Sequence, residues 1–501
     1  KNIFLLSMLV VAGCSDKPLN SPYGDSKEDD KVFYSSFQER PKHLDPARSY
    51  SSNEYAFIAQ IYEPLFQYHY LKKPYELIPL TASEMPKLYY LDNEFNKTDN
   101  KSKAHYTKYI LKIKKGILYQ NHPAFYKKNK KYAYHDLSEN QLANINTLKD
   151  FRQENTRELT SDDYIYQIKR LADYKNHSPI SGVMQDYIYG FNEYKKKIRK
   201  IKYYSHKERI NIIRKSDISG VEKIDRYTFS ITLKKQYPQF IYWLAMPFFS
   251  PMPWEADSFY SQPGLQKKNI TLNWFPIGTG PFKLTENNPN LKMVLEANKN
   301  FRGEVYPSRK DKIVNRKIIE HNNKKEVPFI NKAIYSLEKE QIPRWNKFLQ
   351  GYYDNSGIAS DNYDQAISLN NSGDISLNKE LEDKGIHLTT ATSASTYYIG
   401  FNMLDTVIGG SSERSKLLRQ AISIAIDYDE YISIFANGRG IIAQSPIPPG
   451  IIGYQDGTNN YNKILYKIKN GAVVKRSIED AKILLTKAGY NNGIDKKTGK
   501  P

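Results

Sequence analysis

Cysteine is nearly absent from this sequence, because Cys14 is the only one among 501 residues. A single cysteine excludes a disulfide framework and a zinc site built from several thiolates. Three common signatures are also missing: the HExxH of zinc peptidases, the G-x-S-x-G nucleophile turn and the G-x-x-x-x-G-K-[ST] phosphate loop. The nine histidines are scattered without the spacing of metal ligands. The sequence therefore predicts a protein that is not an enzyme and that needs neither a metal nor a cofactor.

Long apolar runs are lacking as well. The run that begins at Ile3 is far shorter than the roughly 20 residues of a bilayer-spanning helix, and it ends in Val11-Ala12-Gly13-Cys14. With the basic Lys1 before it, this pattern resembles the lipobox of a bacterial lipoprotein signal peptide, whose cleavage leaves a lipid-bearing cysteine. We therefore predict a signal peptide over residues 1–14, lipidation of Cys14 and a polar tether over residues 15–31. The alternative is a frayed apolar terminus with a chance cysteine.

Acidic residues are few relative to basic ones, and the net charge is +20. The excess is concentrated in residues 191–215, which hold ten Lys/Arg against two Glu, and in residues 127–131 (KKNKK). Such an excess of positive charge would suit a protein that binds nucleic acid, an anionic membrane surface or an acidic ligand. Ile198, Ile201 and Ile210 lie among the charges of the first stretch, which favours a solvated amphipathic helix. We predict no nucleic-acid partner, and a basic polyanion-binding or nucleic-acid-binding protein is the alternative of another class.

Helical and strand patterns interleave along the rest of the chain. Strand alternation is clearest at residues 227–234 (YTFSITLK), whose apolar side chains face one way and whose Thr, Ser and Lys side chains face the other. Capping boxes at Thr160-x-x-Asp163 and Ser477-x-x-Asp480 indicate two helix starts. Further strands are predicted at 32–34, 109–114 and 291–296, and further helices at 53–66, at 417–426 and from Asp427 to Asn437. Without a strict βαβ rhythm, this pattern predicts a mixed α/β class with several lobes.

Five groups of segments, in order along the chain, carry a resemblance to a known family. Together they resemble the family 5 extracellular solute-binding proteins, the receptor subunits of peptide-importing ABC transporters, between residues 32 and 493. The segments are Leu44-Asp45-Pro46 with Ile61 to Leu65 (IYEPL), residues 111–117 with 159–173, Ile277 to Leu284 (IGTGPFKL), Tyr398 to Asn402 with 418–427 and 438–450, and Ala481 to Gly493.

The resemblance implies an α/β fold of the periplasmic-binding-protein type II kind, with two lobes, a hinge and an extra small domain. The first lobe is expected at residues 32–80 and 216–300, the inserted domain at 81–215 and an incomplete second lobe at 301–501. Family members continue beyond the segment that resembles 481–493, so we expect a C-terminally truncated chain. The acidic residue that pairs with the ligand's amino group in peptide receptors is expected in the absent part.

The function that the resemblance implies is capture of a solute for an ABC importer. A peptide or peptide-like ligand would bind between the lobes and pass to the permease and ATPase subunits, while the N-terminal lipid holds the receptor in the periplasm or cell envelope. Nickel chelates or oligosaccharides on the same scaffold are alternative ligands. A cell-wall hydrolase and a wholly structural lipoprotein are alternatives of other classes.

Candidate ligand-binding residues follow from the matched segments, and each has a structural alternative. Arg40 could form a surface ion pair, His43 could bond a neighbouring carbonyl, and Asn402 could cap a turn. Thr279 and Gly280 could serve only to turn a crossing strand. Tyr397 and Tyr398 alternate on an expected strand, so that only one can face the ligand while the other packs in the core. The complete set is Arg40, His43, Leu44, Thr279, Gly280, Tyr397, Tyr398 and Asn402.

Overall fold

The structure is a computed structural model that describes residues 23, 31–72, 75–203, 205–307, 321–369, 375–455, 457 and 460–499. The predicted signal peptide and all of the tether except Tyr23 and Lys31 lie outside the described residues, and so does Cys14. Among the described residues, no helix combines the length and the apolar character that a membrane span requires. The chain divides into two compact units. Unit 1 comprises Lys1–Lys72 and Glu76–Gly357, and unit 2 comprises Lys73–Tyr75 and Ile358–Pro501.

Helices occur in both units. The α-helices are α1 (Ser52–Ile58), α2 (Glu139–Ala143), α3 (Ser161–Ala172), α4 (Ser181–Tyr187), α5 (Phe191–Lys200), α6 (His206–Lys215), α7 (Phe240–Trp243), α8 (Trp254–Tyr260), α9 (Pro263–Lys267), α10 (Gln341–Leu349), α11 (Tyr363–Ala366), α12 (Lys379–Asp383), α13 (Glu413–Ala425), α14 (Tyr428–Ala436) and α15 (Ile478–Lys487). Short 3₁₀ turns lie at Lys101–Lys103, Pro123–Phe125, Leu148–Asp150, Tyr174–Asn176, Pro247–Phe249 and Ser360–Asn362.

Strands are short and form several small sheets. They are β1 (Val32–Phe37), β2 (Phe66–Tyr68), β3 (Leu77–Pro79), β4 (Lys87–Leu91), β5 (Tyr106–Lys112), β6 (Lys127–Lys128), β7 (Lys131–Tyr132), β8 (Val221–Asp225), β9 (Thr228–Leu233), β10 (Phe282–Asn288), β11 (Lys292–Ala297), β12 (Glu304–Val305), β13 (Glu326–Val327), β14 (Lys332–Leu337), β15 (Ile367–Leu369), β16 (Ile375–Leu377), β17 (Tyr466–Lys469), β18 (Ala472–Lys475), β19 (Tyr490–Asn491) and β20 (Ile494–Asp495).

One four-stranded sheet of unit 1 has the order β1-β14-β11-β10. Strand β1 runs parallel to β14, with Val32 opposite Lys332, whereas β14, β11 and β10 pair antiparallel. Strand β14 pairs with both β1 and β11, and the second part of unit 1 extends to Gly357. The predicted first lobe, inserted domain and second lobe, with the boundary between residues 300 and 301, stay predictions.

The second four-stranded sheet of unit 1 has the order β4-β5-β9-β8. Strand β5 alternates buried and partly exposed residues, as predicted. Strand β9 forms where it was predicted, and both of its sides are covered, because Ser230 and Thr232 are buried together with its apolar residues. Elements distant in sequence contact the strand: the Tyr164 ring of α3 stacks on Phe229, and Ile188 forms a backbone bridge with Leu233 at the end of the strand.

Helix α1 is shorter than predicted. It ends at Ile58 and does not continue to Pro64. The carbonyl of Ile61 accepts the N–H of Gly280 at 2.9 Å. The chain that follows α1 is therefore bonded to a loop more than 200 residues away in sequence.

Helix starts set by local capping were predicted correctly. Thr160 and Ser477 begin capping boxes at α3 and α15, and Asp427 caps α14. The basic stretch 191–215 forms two helices, α5 and α6, instead of one, because the chain leaves the helix at Ile201 and Ser205 caps a new start. The amphipathic character of the stretch was predicted correctly, and its buried faces contribute to the core of unit 1.

Unit 2 contains the packed pair α13 and α15. Ala421, Ile424 and Ala481 are buried between these helices. The strand predicted around Tyr397 to Asn402 is not formed, since residues 386–402 contain neither helix nor strand. No strand of the described residues pairs with that segment. Without a partner strand, its backbone groups have no ladder to join.

A buried histidine of unit 1 makes the stability of the protein depend on pH. The Nδ1 atom of His122 accepts the N–H of Ala124 at 3.0 Å, so Nε2 carries the proton and donates to the Tyr260 hydroxyl at 2.7 Å. Tyr260 in turn donates to the carbonyl of Phe275 at 2.8 Å. Burial lowers the pKa of His122 to about 3, and the charges of His135 and Lys283 add to the effect.

We expect acid to destabilise the protein through His122. Its pKa is lower in the folded state than the ordinary value of about 6.5 in the unfolded state, so between pH 6.5 and 3 the unfolded state binds the extra proton and stability falls as pH falls. From pH 7 to about 4.5 this residue should cost about 2–3 kcal/mol. The measurement is urea unfolding at both pH values. Between these two pH values, the His122→Gln variant should lose about 2–3 kcal/mol less unfolding free energy than the wild type. An equal loss in the variant and the wild type would contradict the prediction.

Candidate functional site

The loop after β1, which carries Arg40, His43 and Leu44, is held by the buried carboxylate of Glu54. Its Oε1 accepts the backbone N–H of His43 at 2.8 Å, and its Oε2 accepts that of Tyr50 at 3.1 Å. Burial alone would raise the pKa of Glu54, but these hydrogen bonds hold it below its ordinary value. Glu54 was missed by the sequence reasoning. The signal that could have found it is the capping box Ser51-x-x-Glu54 at the start of α1.

The three candidates in this loop differ in exposure. The Arg40 side chain is exposed, and the structure gives it no ion pair among the described residues. His43 is half-buried with an unpaired Nδ1, and burial together with the charge of Arg48 lowers its pKa, so the ring is neutral at pH 7. Leu44 is 1% exposed and belongs to the core of unit 1. The loop therefore presents Arg40 and part of His43, with Leu44 fixing it to the core.

Behind this loop lies a buried ion pair between two of the matched segments. The guanidinium of Arg170 donates to both carboxylate oxygens of Asp45, at 3.0 and 2.7 Å. Both side chains are almost fully buried, and Asp257 lies 3.4 Å from the Arg170 Nε. Sequence reasoning quoted Asp45 and Arg170 as parts of motifs but did not pair them. A bidentate pair of this kind fixes orientation as well as distance, and so positions the loop on α3.

The loop that carries Thr279 and Gly280 packs directly on the chain after α1. The Thr279 hydroxyl donates to Glu63 Oε2 at 2.7 Å, and Arg302 donates to the same oxygen at 2.8 Å. Burial raises the pKa of Glu63, which Arg302 partly offsets. A Cβ added at Gly280 would lie 2.7 Å from the Gln60 and Ile61 carbonyls.

Thr279 is 1% exposed, and the polar group of its side chain is already bonded. The geometry thus gives Thr279 and Gly280 a clear positioning role, because they join two distant segments. A role in ligand binding stays a prediction for both residues.

The remaining candidates lie in unit 2. Tyr397 and Tyr398 are 92% and 87% exposed, so the expectation that one of them packs in the core was wrong. The reason is that no strand alternation exists at this segment. Asn402 is exposed, and its Oδ1 accepts the N–H of Leu404 at 3.1 Å. Asn402 therefore caps a turn, as its structural alternative predicted, and ligand binding by these three residues stays a prediction.

The structure brings the candidates together in three groups. In unit 1 they occupy two loops, and in unit 2 they share one extended segment. Among the residues that the structure describes, no group of three or more His, Cys, Asp or Glu side chains is arranged to hold a metal ion. What the described groups offer is exposed main chain, aromatic rings and one arginine, which suit binding by hydrogen bonding and stacking.

A family model, several curated proteins and several solved structures are similar to this chain. The family model described as "Bacterial extracellular solute-binding proteins, family 5 Middle" matches residues 133–500. The dipeptide-binding protein of Escherichia coli K12 is 24% identical over 340 residues, which cover 68% of this chain and 49% of the relative. The periplasmic oligopeptide-binding protein OppA of Salmonella typhimurium is 23% identical over 336 residues, covering 66% and 49%. The chain thus spans about half the length of these curated relatives.

Solved structures show the same fold. The periplasmic binding protein DppA of Helicobacter pylori, in complex with the peptide STSA, has a TM-score of 0.53 at 20% identity, covering 92% of this chain and 67% of that one. The murein tripeptide binding protein MppA of Escherichia coli has a TM-score of 0.56 at 18% identity, covering 93% and 67%. The predicted α/β fold of periplasmic binding proteins is therefore confirmed. Since the family model covers more than half of its residues, the chain belongs to the bacterial extracellular solute-binding proteins of family 5.

Proposed function

We propose that this chain serves as a substrate-binding receptor of an ABC importer and captures peptides or peptide-like solutes without reacting with them. The observation that carries the proposal is the family match over residues 133–500. It is supported by curated relatives that are named for binding dipeptides, oligopeptides and glutathione. Further supports are the exposed arginine and tyrosines of the candidate set, which suit a polar, extended ligand.

The proposed binding mode follows from peptide chemistry. The main chain of an extended peptide offers the same donors and acceptors whatever its sequence, so backbone pairing gives broad selectivity. The ligand's charged ends need fixed partners, because an unpaired buried charge is costly. Within the proposal, Arg40 binds the carboxylate end, His43 and Asn402 bond the main chain, and Tyr397 and Tyr398 stack on side chains. Leu44, Thr279 and Gly280 hold the loops in place beside the ligand.

Location and partners belong to the same proposal. The chain would be exported to the periplasm or cell envelope, cleaved before Cys14 and held at the membrane by lipid on that residue. Bound solute would then pass to permease and ATPase subunits. Mass spectrometry of the mature N terminus, compared with that of a Cys14→Ser variant, tests this step. A lipid-modified cysteine in the first protein alone is the expected result, and an unmodified N terminus in both would contradict it.

The binding proposal is tested by ligand retention. We expect native mass spectrometry of the purified protein to show bound peptides of mixed sequence, and calorimetry to show binding of short synthetic peptides. Tyr398→Ala should weaken peptide affinity about tenfold or more, as truncation of a buried interface aromatic does. The matched control is Tyr431→Ala in α14, another exposed tyrosine of unit 2, which should change affinity less than about twofold.

Competing ligands decide between the alternatives. Three other ligands are titrated under the same conditions: nickel chelates, oligosaccharides and haem. Haem is included because a relative from Haemophilus influenzae is named heme-binding protein A. Binding of one of these with no peptide binding would overturn the peptide assignment while leaving the receptor class in place. Equal changes of peptide affinity in Tyr398→Ala and Tyr431→Ala would overturn the proposed site.

A further inference from the structure

The outer face of α5 carries a cluster of cations that the fold does not neutralise. We define the α5 basic face as Lys196, Lys197, Arg199, Lys200 and the following Lys202, all of them exposed. The structure gives these five residues no ion pair with any described carboxylate. The helix itself contains one acidic residue, Glu193, in its first turn. Four positive charges therefore lie on a helix of about 15 Å, and the fifth follows two residues after its end.

Several lysines elsewhere in unit 1 lie beside a carboxylate, whereas the five residues of the α5 basic face do not among the described residues. Lys108 pairs with Glu222 at 2.7 Å, and Lys223 pairs with Asp162 at 2.6 Å. Lys332 lies 3.1 Å from Glu296. An uncompensated cluster on one helix face is repulsive within the folded protein and gains free energy only when an anionic partner approaches.

The apolar face of α5 is already occupied. Phe191, Tyr194 and Ile198 are buried against the core of unit 1. The helix therefore cannot insert apolar side chains into a bilayer, and it cannot offer aromatic rings for bases to stack on, which single-stranded nucleic acid requires. What remains is a short surface that is purely electrostatic. That chemistry fits the phosphate headgroups of an anionic membrane, which present many weak charges in a plane.

We propose that the α5 basic face docks unit 1 on the anionic phospholipid surface of a membrane. The tether that the sequence predicts over residues 15–31 would allow this contact, since a random-coil linker of 17 residues has an end-to-end distance of about 23 Å. Contact with lipid headgroups would keep the receptor body at the membrane. The proposal goes beyond solute binding and does not depend on which ligand is bound.

The test is co-sedimentation of the full chain, carrying Cys14→Ser so that no lipid is attached, with vesicles. We expect binding to vesicles of equal parts phosphatidylglycerol and phosphatidylcholine, no binding to phosphatidylcholine alone, and release at about 0.5 M salt, where screening is short-ranged. A variant with four substitutions should bind these vesicles at least about 100-fold more weakly, because each basic residue contributes about fivefold to the affinity. The substitutions are Lys196→Gln, Lys197→Gln, Arg199→Gln and Lys200→Gln. Circular dichroism should show this variant folded, since these side chains are exposed.

The matched control removes the same charge elsewhere. A second exposed cluster of four lysines lies on the β6–β7 hairpin, at Lys127, Lys128, Lys130 and Lys131. Replacing these four with glutamine should change vesicle affinity less than about threefold. Equal losses in both variants would mean that net charge alone drives binding and would overturn the proposal. The same holds for no binding to phosphatidylglycerol, and for tighter binding to DNA than to vesicles at the same salt.

Discussion

Asp45→Asn should lower the free energy of unfolding by about 3–5 kcal/mol, because it removes one partner of a buried ion pair and leaves the other charged. Arg170 is buried and donates to both oxygens of Asp45. Burial opposes the charge of Arg170, but Asp45 and Asp257 raise its pKa, so it stays protonated at any working pH. An asparagine amide can accept one of the two hydrogen bonds and carries no charge to compensate the guanidinium.

The surrounding groups cannot replace Asp45. Asp257, the other carboxylate near Arg170, already accepts the Tyr166 hydroxyl at 2.7 Å, and burial of that tyrosine raises its pKa far above the ordinary value. Gln167 Oε1 accepts from Arg170 at 3.0 Å but is neutral. Water cannot enter without opening the core of unit 1. The loss of unfolding free energy should therefore be close to the cost of an unpaired buried charge, reduced in part by the attraction between Arg170 and Asp257.

Urea unfolding followed by tryptophan fluorescence measures this effect in unit 1. All four tryptophans, at positions 243, 254, 274 and 345, lie in that unit. The control is Asp162→Asn, which breaks the exposed pair with Lys223 and should cost less than about 1 kcal/mol. If both variants lost the same stability, the buried pair would not have the role assigned to it. The loop with Arg40 and His43 should also become more sensitive to protease in Asp45→Asn alone.

Local signals predicted local structure well. Thr160, Asp427 and Ser477 were identified as helix caps because the groups that a cap satisfies lie within three residues of it. The burial of Ser230 and Thr232 on β9 had no such local signal. Alternation in residues 227–234 indicates which side chains share a face of the strand, but not which faces the rest of the fold covers.

For the candidate site, the resemblance located the segments but not their pairing. Asp45 and Arg170 stand 125 residues apart, and Thr279 and Glu63 stand 216 apart. Which motif residue meets which depends on the sheet order and on the return of distant strands. The segment with Tyr397 and Tyr398 shows the complementary limit: an alternating sequence forms a strand only where another strand offers its hydrogen bonds.

Gly278→Ala should destabilise unit 1 by an amount comparable to the loss of the Asp45 carboxylate. A Cβ at position 278 would lie 1.9 Å from the Ile61 carbonyl oxygen and 2.7 Å from the carbonyl carbon. Both atoms belong to the main chain, so no side chain can rotate away. The backbone of one segment must move, although the Gly280 N–H bonds the same Ile61 carbonyl at 2.9 Å. We expect a loss of about 3 kcal/mol or more, the upper range for overpacking.

Gly182→Ala provides a matched control for this substitution. Gly182 lies in α4, where an added Cβ has nothing within 4 Å. Alanine favours a helix by about 1 kcal/mol over glycine, so this variant should be neutral or more stable in the same urea experiment. The Gly278→Ala variant should in addition lose peptide binding, because Thr279 and Gly280 could no longer hold their loop against Ile61 and Glu63. Wild-type stability in Gly278→Ala would show that the two segments are not in the close contact that positions the loop with Thr279 and Gly280.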